Sequence, residues 1–240
     1  MKTLADIKKI AVLGAGTMGP GIAQTYAMGG YEVTMWTRSE STREKAIASL
    51  KSQLRTFAEE GEIKENEVDE IFGRINFALT VEEAVEGADF IQETIVENRD
   101  AKVALYEQLA ACVPSDVIIA SNTSAMNIFE VVPEKLLPQQ IICHWYAPPQ
   151  LIPLVEVVKS EQAPQEYADI AVALLKKCGK TAVLMKKFIR GYIVNRLQQC
   201  LNREVFYLLD NGYCDAEAID LAAKASFIPR ACVRGLLKRA

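Results

Sequence analysis

The tightest constraint on this chain is a strand, a glycine turn and a helix in immediate succession near its start. Lys9 to Leu13 (KIAVL) is a short, apolar, β-branched run suited to a strand buried on both faces of a parallel sheet. Gly14-Ala15-Gly16-Thr17-Met18-Gly19 follows at once, and then GIAQTYAMGG, which has helical composition and ends in a glycine pair. In that order a GxGxxG string reads as a dinucleotide fingerprint. Gly14 allows the tight turn, Gly16 lets the backbone approach a pyrophosphate, and Gly19 lets helix and strand pack closely. The pyrophosphate is expected at the helix N-terminus, where free N–H groups and the dipole favour an anion. Gly14, Gly16, Thr17, Met18 and Gly19 are therefore candidate cofactor-binding residues.

The chain has one histidine, His144, in the stretch CHWYAPPQLIPLVEVV. Imidazole is the side chain whose unperturbed pKa, about 6.5, suits proton exchange near neutrality. Twelve positions on, Glu156 interrupts an apolar run, LIPLVEVV, that reads as a buried strand. A carboxylate there needs a partner, because an unpaired buried charge costs several kcal/mol or neutralises itself. His144 is a natural partner. The alternative is that His144 ends a strand as a satisfied core residue and Glu156 pairs with a lysine.

Composition narrows the class. The 240 residues suffice for one large domain or two. Half are hydrophobic and 24% charged, an ordinary globular balance. A net charge of −4 argues against a nucleic-acid binder, and no apolar stretch approaches the ~20 residues of a membrane span. The start, MKTLADIKKIAVLGAG, runs directly into the first strand, with no cleavable signal peptide evident. Six cysteines without a CxxC pair suggest neither a zinc site nor a disulfide framework, and point to a cytoplasmic protein with no metal. Cys143 is expected in the core, since adjacent strand residues face opposite ways.

Further along, Tyr31 to Trp36, Asp89 to Glu93, Val117 to Ala120, Gln140 to His144, Leu154 to Val158 and TAVLM read as strands. Helical segments lie between several of them, the alternation that builds a parallel sheet. Ser41 to Ile71, broken near Gly61, looks like a helical pair projecting from the sheet. A helix is expected over Gln165 to Lys177, stopped by Gly179. From Gly191 the pattern turns helical, to Asn211, with another helix starting at Asp215. The expected fold is α/β: a doubly wound, Rossmann-type domain over residues 1–188, then a partial all-α domain over 189–240. Some 50 residues is a small helical core, so that part either docks on a partner subunit or is a truncated version of a longer one.

The motifs GAGTMGPGIAQ, ETIVENRDAK, SNTSAMNI, HWYAPPQLIPLVEVV, GYIVNRL and NGYCDAEAIDLA, in this order, resemble the 3-hydroxyacyl-CoA dehydrogenase family, its 3-hydroxybutyryl-CoA dehydrogenase-like members included. The likeness covers essentially the whole chain. It implies a hydride transfer between a nicotinamide cofactor and C3 of a 3-hydroxyacyl-CoA. By motif position, the family's active-site serine, histidine, glutamate and asparagine fall on Ser124, His144, Glu156 and Asn195. Its cofactor-facing glutamate and lysine fall on Glu97 and Lys102. His144 would take the hydroxyl proton, Glu156 would hold its tautomer, and Ser124 and Asn195 would bind the substrate oxygens. On residue type alone, Ser124 also suits a helix N-cap. Asn195, in the middle of a helical pattern, suits a purely structural role less well.

Several positions depart from the family pattern. HFFNP becomes His144-Trp145-Tyr146-Ala147-Pro148, and Pro-Gly before the asparagine helix becomes Arg190-Gly191. The Pro-Pro and IPLVE wording is also similar to relatives that oxidise free hydroxy acids, such as L-gulonate dehydrogenase. A dehydrogenase of free 3-hydroxy carboxylates is therefore a second reading, and a non-catalytic nucleotide-binding relative a third. At the end of the second strand, NAD-using members carry an aspartate for the ribose 2′-hydroxyl; this chain has Thr37, then Arg38 and Ser39. Arg38 with the two hydroxyls leans the expectation from NAD to NADP. Lys51 and Arg55, four apart on one helix face, are candidates for CoA phosphates. The apolar face of the helix after Gly191 (Ile193, Val194, Leu197, Leu201, Val205, Leu208, Leu209) suggests a homodimer.

Overall fold

A computed structural model describes residues 2–238. It divides into two compact units, the first ending at Arg190 and the second starting at Gly191.

The first unit is built on one eight-stranded sheet. Its strands are β1 (Lys9–Leu13), β2 (Glu32–Trp36), β3 (Ile75–Ala78), β4 (Phe90–Glu93), β5 (Ile118–Ser121), β6 (Gln140–Trp145), β7 (Leu154–Lys159) and β8 (Thr181–Leu184). Their spatial order is β3-β2-β1-β4-β5-β6-β7-β8. Every neighbouring pair is parallel except β6–β7, which is antiparallel. Helices α1 (Gly19–Met28), α2 (Glu40–Glu59), α3 (Val68–Gly73), α4 (Val81–Val85), α5 (Arg99–Cys112) and α6 (Gln165–Lys177) connect and cover the strands. The fold is the expected doubly wound α/β sheet. Strand order reverses between β1 and β4, and in such sheets a ligand crevice opens there, beyond the carboxyl ends of the strands.

Burial explains the elements. β1, β4, β5 and β6 are almost wholly buried, which demands the continuous apolar runs seen in the sequence. β3 lacks such a run. In INFA, Asn76 is exposed and Phe77 only half-buried, so this edge strand escapes a reading by hydrophobic run. It exists because Val33 to Trp36 of β2 pair with Ile75 to Ala78. The α2–α3 pair, expected to project from the sheet, packs its inner side on α1. Ala46, Leu50 and Leu54, spaced by four, bury one stripe of α2 in the common core with Ile22 and Tyr26 of α1 and Ile71 of α3. Lys51 and Arg55 lie off that stripe and are exposed. Cys143 is fully buried in the core, which pushes its thiol pKa up.

The second unit consists of α7 (Val194–Asp210), α8 (Ala216–Ala222), a π-helical turn at Ala223–Phe227 and α9 (Ile228–Arg234). Helix α7 starts three residues later than the sequence pattern suggests, because Gly191 and Tyr192 carry left-handed backbone angles, φ 82° and 49°. Asp215 caps α8, accepting the Ala218 N–H at 2.8 Å. On α7, Ile193 just before it, Leu197, Leu201 and Phe206 are exposed.

Candidate active site

A cavity of about 490 Å³ lies at the switch point, bounded by Gly14, Ala15 and Gly16 after β1, Trp36 and Arg38 at the end of β2, Thr94 to Val96 after β4, and Leu105 and Gln108 of α5. The glycines are there for space. Gly14 has φ 120°, and a Cβ on it would stand 2.7 Å from the Thr94 carbonyl oxygen. A Cβ on Gly19 would collide with the Gly14 carbonyl oxygen. Gly16 is exposed with nothing within 4 Å of a Cβ position, so its open side is available to a ligand. Met18 gives α1 no side-chain cap, and the first-turn N–H groups need another acceptor. These features fit the pyrophosphate of a nicotinamide dinucleotide.

The end of β2 corrects one expectation. Thr37 is 1% exposed, and its hydroxyl donates to the Ala78 carbonyl at 3.4 Å. It faces the β3 edge and does not line the cavity. The Ser39 hydroxyl caps α2, accepting the Thr42 N–H at 3.2 Å and lying 2.9 Å from the Thr42 hydroxyl. Arg38, exposed on the cavity rim, is the cationic group at this corner.

His144 and Glu156 meet. They are directly opposed across the antiparallel β6–β7 pair, 2% and 0% exposed, with His144 Nδ1 3.1 Å from Glu156 Oε2. Directly opposed residues share a face and stand closest in an antiparallel ladder, so the register makes the contact. A carboxylate on Nδ1 makes that nitrogen the donor and gives Nε2 the lone pair. Tyr146, two residues on and so on the same face, donates its hydroxyl to the same Oε2 at 2.7 Å. Its ring lies edge-on to the imidazole, centroids 4.6 Å apart. The sequence reading missed Tyr146, although the i, i+2 spacing from His144 was there to signal it.

Ser124 sits in the loop after β5 and is exposed; it caps no helix. Glu97 shapes that loop. Its Oε1 accepts the Thr123 hydroxyl at 2.5 Å and the N–H groups of Ser124, Ala125 and Met126 at 3.1, 3.1 and 3.2 Å. Partial burial works to raise the Glu97 pKa. The bonds from Thr123, Ala125 and Met126 and the charge of Lys102 outweigh it, and the net shift is downward. Lys102, 1% exposed, spends its ammonium on Glu93 Oε1 at 2.7 Å and Glu97 Oε2 at 3.5 Å. Fully buried Glu93 also accepts the Ser121 hydroxyl and the Ile95 N–H. Glu97 and Lys102, which resemblance marks as cofactor-facing, thus bind the loop carrying Ser124 to β4 and α5.

Two further polar residues frame the site. Asn122 accepts the Trp145 N–H at 2.8 Å. Lys180 donates to the carbonyls of Pro149 and Ile152, at 2.5 and 3.1 Å, holding the segment that follows Tyr146. Burial lowers its pKa to about 8. Neither was singled out from sequence, because their partners are backbone atoms distant along the chain. Asn195 falls in the first turn of α7 in the second unit, not in the middle of a helix as its sequence pattern suggests. The Lys51 ammonium lies over the Phe72 ring of α3, 5.1 Å from its centroid. Among the described residues no cluster of metal-type ligands occurs, and no helix is long and apolar enough to cross a membrane.

The chain is similar to known proteins in sequence and fold. A probable 3-hydroxybutyryl-CoA dehydrogenase from Bacillus subtilis is 39% identical over 220 residues, covering 91% of this chain and 76% of the relative. An L-carnitine dehydrogenase from Streptomyces griseus is 31% identical, covering 90% of this chain and 63% of the relative. The crystal structure of (S)-3-hydroxybutyryl-CoA dehydrogenase from Ralstonia eutropha superposes with a TM-score of 0.85 at 30% identity, covering 91% of this chain and 77% of that one. Residues 9–188 match the family 3-hydroxyacyl-CoA dehydrogenase, NAD binding domain. With its fingerprint turn, its crevice and its opposed histidine and glutamate in place, the chain belongs to the 3-hydroxyacyl-CoA dehydrogenase family of nicotinamide-dependent oxidoreductases.

Proposed function

We propose that this chain interconverts 3-hydroxyacyl-CoA and 3-oxoacyl-CoA, with His144 as the general base and acid. The observation that carries this reading is the buried His144–Glu156 pair. With Nδ1 donating to Glu156, Nε2 is the nitrogen that takes the substrate hydroxyl proton and returns it in the reverse direction. Glu156 fixes the tautomer and balances the imidazolium. Ser124, on the loop that Glu97 organises, and Asn195, at the start of α7, are the groups assigned to the substrate oxygens. A nicotinamide bound at the fingerprint supplies the hydride acceptor. Arg38 on the cavity rim favours the 2′-phosphate of NADP(H).

His144→Gln should cut kcat by about 10²–10⁴-fold. Cofactor binding should persist, read from fluorescence of Trp36, which lines the cavity. Retention of more than about a tenth of kcat refutes the assignment. For the CoA moiety, the exposed Lys51 and Arg55 are the proposed phosphate partners. The similarity to an enzyme named for L-carnitine, not for a CoA thioester, favours a second reading, a free 3-hydroxy carboxylate. Equal kcat/KM for acetoacetyl-CoA and acetoacetate would decide for that second reading.

A further inference from the structure

We propose that Tyr146 is a positioning residue for the acid–base pair: its hydroxyl locks the Glu156 carboxylate and tempers the basicity of His144. This rests on the reading of His144 as the base.

The geometry is specific. One carboxylate oxygen, Glu156 Oε2, receives both the Tyr146 hydroxyl, at 2.7 Å, and His144 Nδ1, at 3.1 Å. The phenol makes the shorter bond. A carboxylate oxygen that accepts a strong donor has part of its charge taken up and offers less to the next one. The phenol also restricts the carboxylate's rotation, so that Oε2 stays aimed at Nδ1 and Nε2 keeps its lone pair.

Glu156 and Tyr146 are the titratable groups whose contacts with His144 the first unit shows, the one through Nδ1 and the other edge-on to the ring. On β8 the residue level with Glu156 is uncharged Val183. Cys143 and Trp145 neighbour His144 along β6, where alternation turns their side chains to the other face, and both belong to the core. From the loop after β5, uncharged Asn122 binds the Trp145 N–H. Lys180 lies over the Trp145 ring, 5.6 Å from its centroid. The shared oxygen, Glu156 Oε2, is the hydrogen-bonded link between the Tyr146 hydroxyl and the imidazole.

The test compares wild type, Tyr146→Phe, Glu156→Gln, the double variant and His144→Gln, each by pH profile of kcat/KM. His144 is the one histidine in the chain, so its ring-proton NMR titration reads a single imidazole. Tyr146→Phe should move the acid limb and the NMR midpoint upward together by about half a unit to one unit, since a hydrogen bond to a charge is worth about one to two units at the carboxylate and about half of that reaches the imidazole. In the Glu156→Gln background the same substitution should move neither. A purely structural tyrosine would lower kcat at every pH and leave both midpoints in place, which overturns the proposal while the His144 assignment stands. Activity surviving in His144→Gln overturns the base assignment, and the proposal with it. Should the phenylalanine variant not fold, 3,5-difluorotyrosine at position 146, a stronger donor of nearly the same size, must shift the midpoint downward; no shift refutes the coupling.

Discussion

Arg38→Ala is the most informative perturbation of the cofactor site. On the proposed reading, Arg38, the cation lining the cavity at the end of β2, reads the 2′-phosphate. The Thr37 hydroxyl is spent on the Ala78 carbonyl, and the Ser39 hydroxyl on the first turn of α2. One guanidinium fork on a phosphate makes charge-assisted hydrogen bonds worth about 1.5–3 kcal/mol net. Arg38 is exposed, and solvent screening moves the expectation to the lower end of that range. At ~1.4 kcal/mol per factor of ten, wild type should favour NADPH in kcat/KM by about ten- to thirtyfold. Removing the side chain should abolish that advantage and leave the NADH value unchanged. Raising ionic strength should erode the NADPH value of wild type and spare both values of the variant. The assay is steady-state kcat/KM with each cofactor at low and high salt. Preference for NADH in wild type, or an unchanged ratio in the variant, refutes the reasoning.

The other expectations concern stability and assembly. Leu50, fully buried between α2 and the core, should cost about 2–5 kcal/mol when truncated to alanine, read as a lower denaturation midpoint with unchanged slope. The Glu97 carboxylate is held below its ordinary value, so its contribution is fully present above the usual carboxylate range and lost as pH falls through the lowered folded value. Denaturation from pH 6 to 3 should therefore show wild type losing its margin over Glu97→Gln as the solution is acidified; a margin that grows in acid refutes the loop role. The exposed apolar residues of α7, Leu197 and Leu201 among them, should be covered in a homodimer. Light scattering should give twice the chain mass for wild type and the chain mass for Leu201→Lys; a monomeric wild type at micromolar concentration refutes this.

The sequence by itself determined the elements whose reason for existing is local. Lys9 to Leu13 and the glycines after it specify a buried strand, a tight turn and a helix start, through a continuous apolar run, the positive φ of Gly14 and the close approach of Gly19 to the Gly14 carbonyl. The bounds of α6 were legible from apolar periodicity and the glycine that stops it. His144 and Glu156 were legible as partners, because a buried charge must be paired. Only the tertiary structure decided what depends on register and on atoms remote in sequence. The β3 strand exists through its pairing with β2. Thr37 turned from ligand donor to backbone partner because the Ala78 carbonyl lies beside it in the fold. Glu97, four residues beyond β4, became the organiser of the Ser124 loop because three successive N–H groups converge on one of its oxygens. Tyr146 joined the acid–base pair because an antiparallel register brings Glu156 opposite His144 within reach of the residue two further along the strand. Local sterics can be read along a chain, whereas hydrogen bonds between distant segments are fixed only when the sheet closes.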